Sequence, residues 1–200
     1  MNQISARSGF VVAGGQSSRM GSDKAFLEWE GKPLIERALD TLRTVCSDVA
    51  IVGARTKFAR YGTVVEDVYP GSGPLAGIHA GLLHSGADLN FMLAVDMPFV
   101  SQHLLRFLFG IAENGRTVVT VPRLGGRFQP LCAAYRRSFV APAEQALREG
   151  KNKIDALFAG LAVRIVEEDE LAAAGFSAAL FRNLNTPEDL HSDRLDSLSS

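Results

Sequence analysis

A short apolar strand that runs straight into a glycine-rich, cation-bearing loop constrains this chain more than any other feature. The segment reads Val11-Val12-Ala13-Gly14-Gly15-Gln16-Ser17-Ser18-Arg19-Met20-Gly21-Ser22-Asp23-Lys24. Phe10 to Ala13 is apolar at every position, which suits a strand covered on both faces of a parallel sheet. Gly14, Gly15 and Gly21 allow backbone N–H groups to approach phosphate oxygens closely, and Arg19 and Lys24 supply neutralising charge. The expectation is a polyphosphate cradle made by the N–H groups of residues 13 to 15 together with these two cations.

Two familiar phosphate loops are excluded by spacing. Gly14-Gly15-Gln16-Ser17-Ser18-Arg19 lacks the G-x-G-x-x-G order of dinucleotide-binding turns. Gly15 to Gly21 encloses one residue too many for a Walker loop, and Ser22 follows where Lys should stand.

The rest of the chain alternates strand and helix signals. Strands are expected at 10–13, 49–52, 63–65, 89–95, 117–121, 131–135 and 162–166. Helices are expected at 33–45, with Pro33 in the first turn, and at 75–84, at 101–112 capped by Ser101, at 138–148 and at 154–158. Thr186-Pro187-Glu188-Asp189 opens a final helix, with Thr as cap and Pro at the first position. This order predicts an α/β fold: a single domain over residues 1–191 with a doubly wound, mostly parallel sheet and helices on both faces, then a flexible tail at 192–200. A 200-residue chain with 46% hydrophobic residues can build such a core unaided.

Composition narrows the partners. A net charge of −1 favours neither nucleic acid nor an anionic membrane surface. Apolar runs such as 91–95 are too short to span a bilayer, and the polar N-terminus has no signal-peptide character. Cys46 and Cys132 lack metal or redox spacing and read as reduced core thiols of a cytoplasmic protein. His79, His84, His103 and His191 are scattered, with no Ser/His/Asp order, so each reads as a surface or packing residue.

In sheets of this class, ligands bind outside the carboxyl ends of the strands. The first loop, Asp67, the Gly71-Ser72-Gly73-Pro74 loop and Asp96 all fall on that rim. Asp96, at the end of the most apolar strand, can hold Mg2+ or can cap the turn before Pro98. Asp67 can bind a ligand or can be a solvated turn residue after Glu66.

The pattern Val12-Ala13-Gly14-Gly15-Gln16-Ser17-Ser18-Arg19-Met20-Gly21-Ser22-Asp23-Lys24 resembles the signature loop of the molybdenum cofactor guanylyltransferase family. Glu30-Gly31-Lys32-Pro33-Leu34, Gly73-Pro74-Leu75-Ala76-Gly77, Asp96-Met97-Pro98-Phe99 and Asn183-Leu184-Asn185-Thr186-Pro187-Glu188-Asp189 extend the likeness to nearly the whole chain. The resemblance implies a Rossmann-like nucleotidyltransferase fold and transfer of GMP from GTP to the phosphate of molybdopterin, with release of pyrophosphate. It implies that Arg19, Lys24 and Asp96 are catalytic, with Asp96 holding Mg2+. Val12, Ala13, Gly14, Gly15, Lys24, Asp67, Gly73, Pro74, Leu75 and Asp96 would bind the nucleotide. Arg127, Gln129 and Asn185 would face the pterin, while Lys151 and Lys153 read better as a solvated basic turn. Where the family often offers a polar side chain near the base or ribose, this chain has Val52-Gly53. A cytoplasmic monomer is implied, in transient contact with molybdoenzymes or cofactor-delivery proteins. Two alternatives stay open from the residues: a cytidylyltransferase for molybdopterin or another phosphorylated small molecule, and a nucleotide-binding regulatory or chaperone protein without transfer activity.

Overall fold

β1 (Arg7–Val12) lies inside an eight-stranded sheet, with β4 (Asp48–Val52) on one side and β6 (Leu89–Ala94) on the other, both parallel to it. The computed structural model describes residues 6–14 and 24–184. β5 (Val64–Val65) continues the sheet beyond β4, again in parallel. Beyond β6 the order is β9 (Cys132–Arg136), β7 (Val119–Leu124) and β10 (Val163–Glu167).

β9 runs antiparallel to both β6 and β7, while β10 is parallel to β7. The reversal begins at Gly125-Gly126. Their φ values of 52° and 75° form the two-residue turn that joins β7 to β8 (Arg127–Phe128) as a hairpin. The chain then leaves β8 and inserts β9 between β6 and β7. The mostly parallel doubly wound sheet therefore holds, with one reversed strand inside it.

Helices cover both faces because the strands alternate their side chains between two apolar layers. Val11, Ile51, Phe91 and Leu93 face α1 (Leu34–Arg43), α4 (Gln102–Asn114) and α7 (Glu168–Ala173). Phe10, Val12, Val52 and Met92 face α3 (Pro74–His84), α5 (Val140–Arg148) and α6 (Ile154–Phe158). α1 buries Leu34, Ile35, Ala38, Leu39 and Leu42, the five positions that its helical spacing singles out. Each fully buried Leu or Ile contributes about 1.5–3 kcal/mol. α3 has almost no polar face, since it is enclosed between the sheet and α5; Gly81 lets it sit directly on Phe10.

Some boundaries differ from the expectation. Pro33 is extended (ψ 143°) and caps α1 from outside, because it belongs to β3 (Lys32–Pro33), which pairs with β2 (Glu28–Trp29). Ser101 caps α4 as expected, accepting from the Leu104 N–H at 3.3 Å. α2 (Arg55–Phe58) and α7 lack a strong sequence signal, being single short turns of helix. The expected helix at Thr186 and the tail at 192–200 lie outside the described residues.

Candidate active site

The topology creates a crevice at the carboxyl ends of β1 and β6. The chain leaves β1 through α1 toward β4, whereas it leaves β6 through α4 toward β7. Strand connections that diverge in this way open a ligand site between them. The Val95 N–H donates to the Val12 carbonyl at 3.2 Å, which holds the two strand ends together just below Asp96.

Val12, Gly14, Val52, Asp67, Gly71, Gly73, Pro74 and Gly77 line a cleft of about 440 Å³ beside this crevice. Its walls are apolar or glycine, and Asp67 is its ionisable group. A Cβ on Gly14 would lie 3.9 Å from Asp67 Oδ2, and one on Gly77 would lie 3.9 Å from Oδ1. The carboxylate thus stands between two glycines that leave space around it. Oδ1 is buried and makes no hydrogen bond. Burial pushes the Asp67 carboxyl above the usual carboxylate range. The neighbouring Glu66 is the solvated acid of the pair: it is exposed and accepts from the Arg55 backbone N–H at 3.2 Å. The two readings of Asp67 separate on this contrast, because a solvated turn residue keeps water on both oxygens.

Gly77, the last residue of the Gly73-Pro74-Leu75-Ala76-Gly77 motif, also lines the cleft. A Cβ there would meet Val12 Cγ1 at 3.2 Å and Val52 Cγ1 at 3.4 Å, so glycine lets α3 approach the ends of β1 and β4. Leu75, expected at the nucleotide, has its side chain wholly buried in the core beneath the cleft. The loop before α3 ends in Gly73, whose φ of 72° and ψ of −161° suit glycine, and Pro74 opens the helix.

The phosphate cradle needs one correction. The Ala13 N–H, expected to face phosphate, donates to the Val52 carbonyl at 2.9 Å and is committed to the sheet. Donors for phosphate begin no earlier than Gly14. Gly15 and Arg19 lie outside the described residues. Lys24 follows them and starts a short 3-10 turn, with Nζ 3.9 Å from Asp96 Oδ2. The two side chains are 30% and 20% exposed, so their charges meet in a partly dry rim. Burial raises the Asp96 carboxyl, and the Lys24 charge pulls it back.

Asp96 fits a hard divalent cation, which takes oxygen ligands and can bind through one carboxylate with phosphates and water completing its shell. No group of three or more His, Cys, Asp or Glu side chains is gathered for a metal among the described residues. A cation here would therefore depend on phosphate oxygens as well as on protein.

The β7–β8–β9 segment comes to the same rim. Leu131 accepts from the Ala94 N–H at 2.7 Å, next to the end of β6. Gln129 is half-buried and fixed by backbone bonds to Pro122 and Cys132. Arg127 is exposed on β8. The Leu184 N–H donates to the Asp96 carbonyl at 2.8 Å, so the late chain arrives at this turn; Asn185 itself lies outside the described residues. Lys151 and Lys153 line a different groove, between α5 and α6, where Lys151 pairs with Glu149 at 2.6 Å. Phe58 fills the space behind Gly53: a Cβ on that glycine would lie 2.9 Å from its ring. The cleft wall at the end of β4 is apolar, formed by Val52. Cys46 and Cys132 are buried free thiols, and burial pushes the Cys46 thiol up to about 12.

Comparison with known proteins places these features in a family. Residues 9–165 match the family model of the MobA-like NTP transferase domain. The chain is 36% identical over 191 residues to the molybdenum cofactor guanylyltransferase of Desulfosudis oleivorans, covering 94% of each chain. It is 37% identical over 184 residues to a probable molybdenum cofactor guanylyltransferase of Pelotomaculum thermopropionicum, covering 91% of this chain and 89% of that one. Among solved structures, molybdopterin-guanine dinucleotide biosynthesis protein A from Archaeoglobus fulgidus superposes with a TM-score of 0.82 at 29% identity, over 96% of this chain and 100% of the other. A 4-diphosphocytidyl-2C-methyl-D-erythritol synthase from Anaerococcus prevotii shares the fold, with a TM-score of 0.71 at 16% identity over 97% and 96% of the two chains. A matching family model over most of the chain, relatives above one-third identity and the glycine-lined cleft beside Lys24 and Asp96 together establish that this chain belongs to the molybdenum cofactor guanylyltransferase family.

Proposed function

We propose that this protein transfers GMP from GTP to the terminal phosphate of molybdopterin and releases pyrophosphate. An acceptor phosphate oxygen forms a bond to the α-phosphorus as the bond from that phosphorus to the bridging oxygen of pyrophosphate breaks. Two anions must approach each other, and negative charge builds on the leaving group. Lys24 and Arg19 are assigned to that charge, with backbone donors from Gly14 and Gly15. Preorganised donors of this kind are typically worth about 3–4 kcal/mol each when removed. No side chain is asked to form a covalent intermediate.

Asp96 is assigned to a divalent cation, which we take to be Mg2+. When bound, it would neutralise phosphate charge and orient the triphosphate. Arg127, Gln129 and Asn185 are assigned to the pterin; the first two lie on the β7–β8–β9 segment that comes to the same rim.

The observation that carries the choice of nucleotide is the buried, unpartnered Oδ1 of Asp67 between Gly14 and Gly77. A carboxylate in an apolar cleft favours a base edge that presents adjacent N–H donors. Guanine offers two, at N1 and N2, whereas cytosine offers only its amino group beside an acceptor. The cytidylyl reading is accordingly not favoured; relatives named for cytidylyl chemistry share the fold at low identity. Pairing of Lys24 with Asp96 favours transfer over simple nucleotide binding, since binding a base requires neither.

We further place the protein in the cytoplasm as a monomer that passes its product to molybdoenzymes or to delivery proteins. Measurement of pyrophosphate release with GTP or CTP, with and without molybdopterin, tests the central reading. Release that requires both GTP and molybdopterin is expected; release with CTP alone as donor, or none with either, overturns it. In a Mg2+ titration of Asp96→Ala, an unchanged metal requirement would remove the metal role of Asp96.

A further inference from the structure

The cleft is closed on one side by the segment between Asp67 and Pro74, and that segment has a single aromatic anchor. Tyr69-Pro70-Gly71-Ser72 forms a tight turn in which the Ser72 N–H donates to the Tyr69 carbonyl at 3.2 Å. Pro70 at the second position and Gly71 at the third, with φ of 79°, are the features of a type II turn. Val68, Pro70, Gly71 and Gly73 are exposed, whereas Tyr69 turns inward. Its ring meets the His79 ring edge-on, with centroids 5.5 Å apart and planes at 70°. Arg148, on α5, donates from Nε to the Tyr69 hydroxyl at 3.4 Å.

His79 has no other evident task. It is 1% exposed, and neither ring nitrogen has a hydrogen-bond partner. A buried imidazole with both nitrogens unsatisfied costs stability that an apolar side chain would not. It stands on α3 two residues after Gly77, which lines the cleft, and its ring packs against that of Tyr69.

We infer that Tyr69 and His79 are positioning residues for the nucleotide base: the ring contact holds the Pro70-Gly71 turn at the width that admits the base beside Asp67. Neither side chain is assigned a contact with the reacting phosphates. The inference rests on the cleft being the nucleotide site of the proposed reaction. It assigns a role to a part of α3 outside the glycine-rich motif, and it makes Arg148 a weaker, outer support of the same turn.

The test measures dissociation constants for GTP and for inorganic tripolyphosphate on the purified protein, together with KM and kcat. Tyr69→Ala is expected to weaken GTP binding and raise its KM by about three- to tenfold, the scale of one aromatic pair. Tripolyphosphate binding and kcat should stay unchanged, because the ring contact supports the turn beside the base and neither ring is assigned a contact with the phosphates. Tyr69→Phe and His79→Phe, which keep an aromatic pair, should restore GTP binding to within about twofold. Arg148→Ala should cost about twofold or less, as an exposed single hydrogen bond. Equal weakening of GTP and tripolyphosphate by Tyr69→Ala, or no weakening of either, overturns the inference. So does failure of Tyr69→Phe to rescue. If wild-type protein binds tripolyphosphate but not GTP, the proposed function fails instead, which separates the two outcomes.

Discussion

Lys24 Nζ stands 3.9 Å from Oδ2 of Asp96, across the gap between the segment after β1 and the end of β6. The pair matters because both groups are mostly shielded from water. A cation and an acid held here need no reorganisation when a triphosphate arrives, which is the condition under which fixed charges assist a reaction most.

Lys24→Ala is expected to cut turnover on the order of 10²–10³-fold with the fold retained. Pyrophosphate release, read beside circular dichroism of the same sample, checks this. Near-normal turnover would show that the triphosphate charge is neutralised elsewhere.

Asp67→Asn should separate function from stability. The neutral amide accepts hydrogen bonds from guanine more weakly, so KM for GTP should rise about tenfold, a loss of one charge-assisted bond. Preference for GTP over CTP should narrow. Burial raises the Asp67 carboxyl in the folded state, so ionisation opposes folding. The folded state holds its proton more tightly than the unfolded chain does. Stability is therefore lost as pH climbs from the ordinary carboxyl value near about 4 through the raised one. Asn escapes that loss, so Tm at neutral pH should increase, and the gain should vanish in acid. About 2–4 °C accompanies each kcal/mol in a chain of this size, which sets the scale for the thermal melt.

Gly81→Ala should act on packing rather than chemistry. The new methyl would lie 3.0 Å from Phe10 Cγ and 3.2 Å from Met92 Cε, inside a filled core layer. Overpacking of this kind costs about 1–3 kcal/mol. A lower urea midpoint with an unchanged slope is expected, while KM for GTP in the folded protein stays as in wild type.

Acid stability should expose His79. Burial lowers its proton affinity in the folded state, and the nearby Glu144 and Arg148 charges work in opposite directions on it. Protonation therefore favours the unfolded chain. The contribution is complete above the ordinary histidine value of about 6.5 and is lost as pH falls below it. His79→Phe should flatten the decline in urea midpoint between about pH 7 and 5. An identical decline in the variant would place the acid sensitivity in other groups.

Much of this architecture is legible in residue order. Apolar strands ending in Gly14, Asp67 and Asp96 demand a covered parallel sheet with its ligands at one rim, because strand period and burial are local properties of the chain. The spacing of Leu34, Ile35, Ala38, Leu39 and Leu42 likewise settles which face of α1 is buried. Tertiary structure alone decided three further matters. It committed the Ala13 N–H to Val52, because only the arrival of β4 supplies that carbonyl. It desolvated Asp67 and left Glu66 in water, although the two acids are adjacent, because Gly14 and Gly77 from distant segments close around only one of them. It reversed β9 through the Gly125-Gly126 hairpin, bringing Leu131 beside the end of β6. Strand and helix periods are set by neighbours a few residues apart, whereas desolvation and hydrogen-bond partners are set by whatever the fold brings alongside.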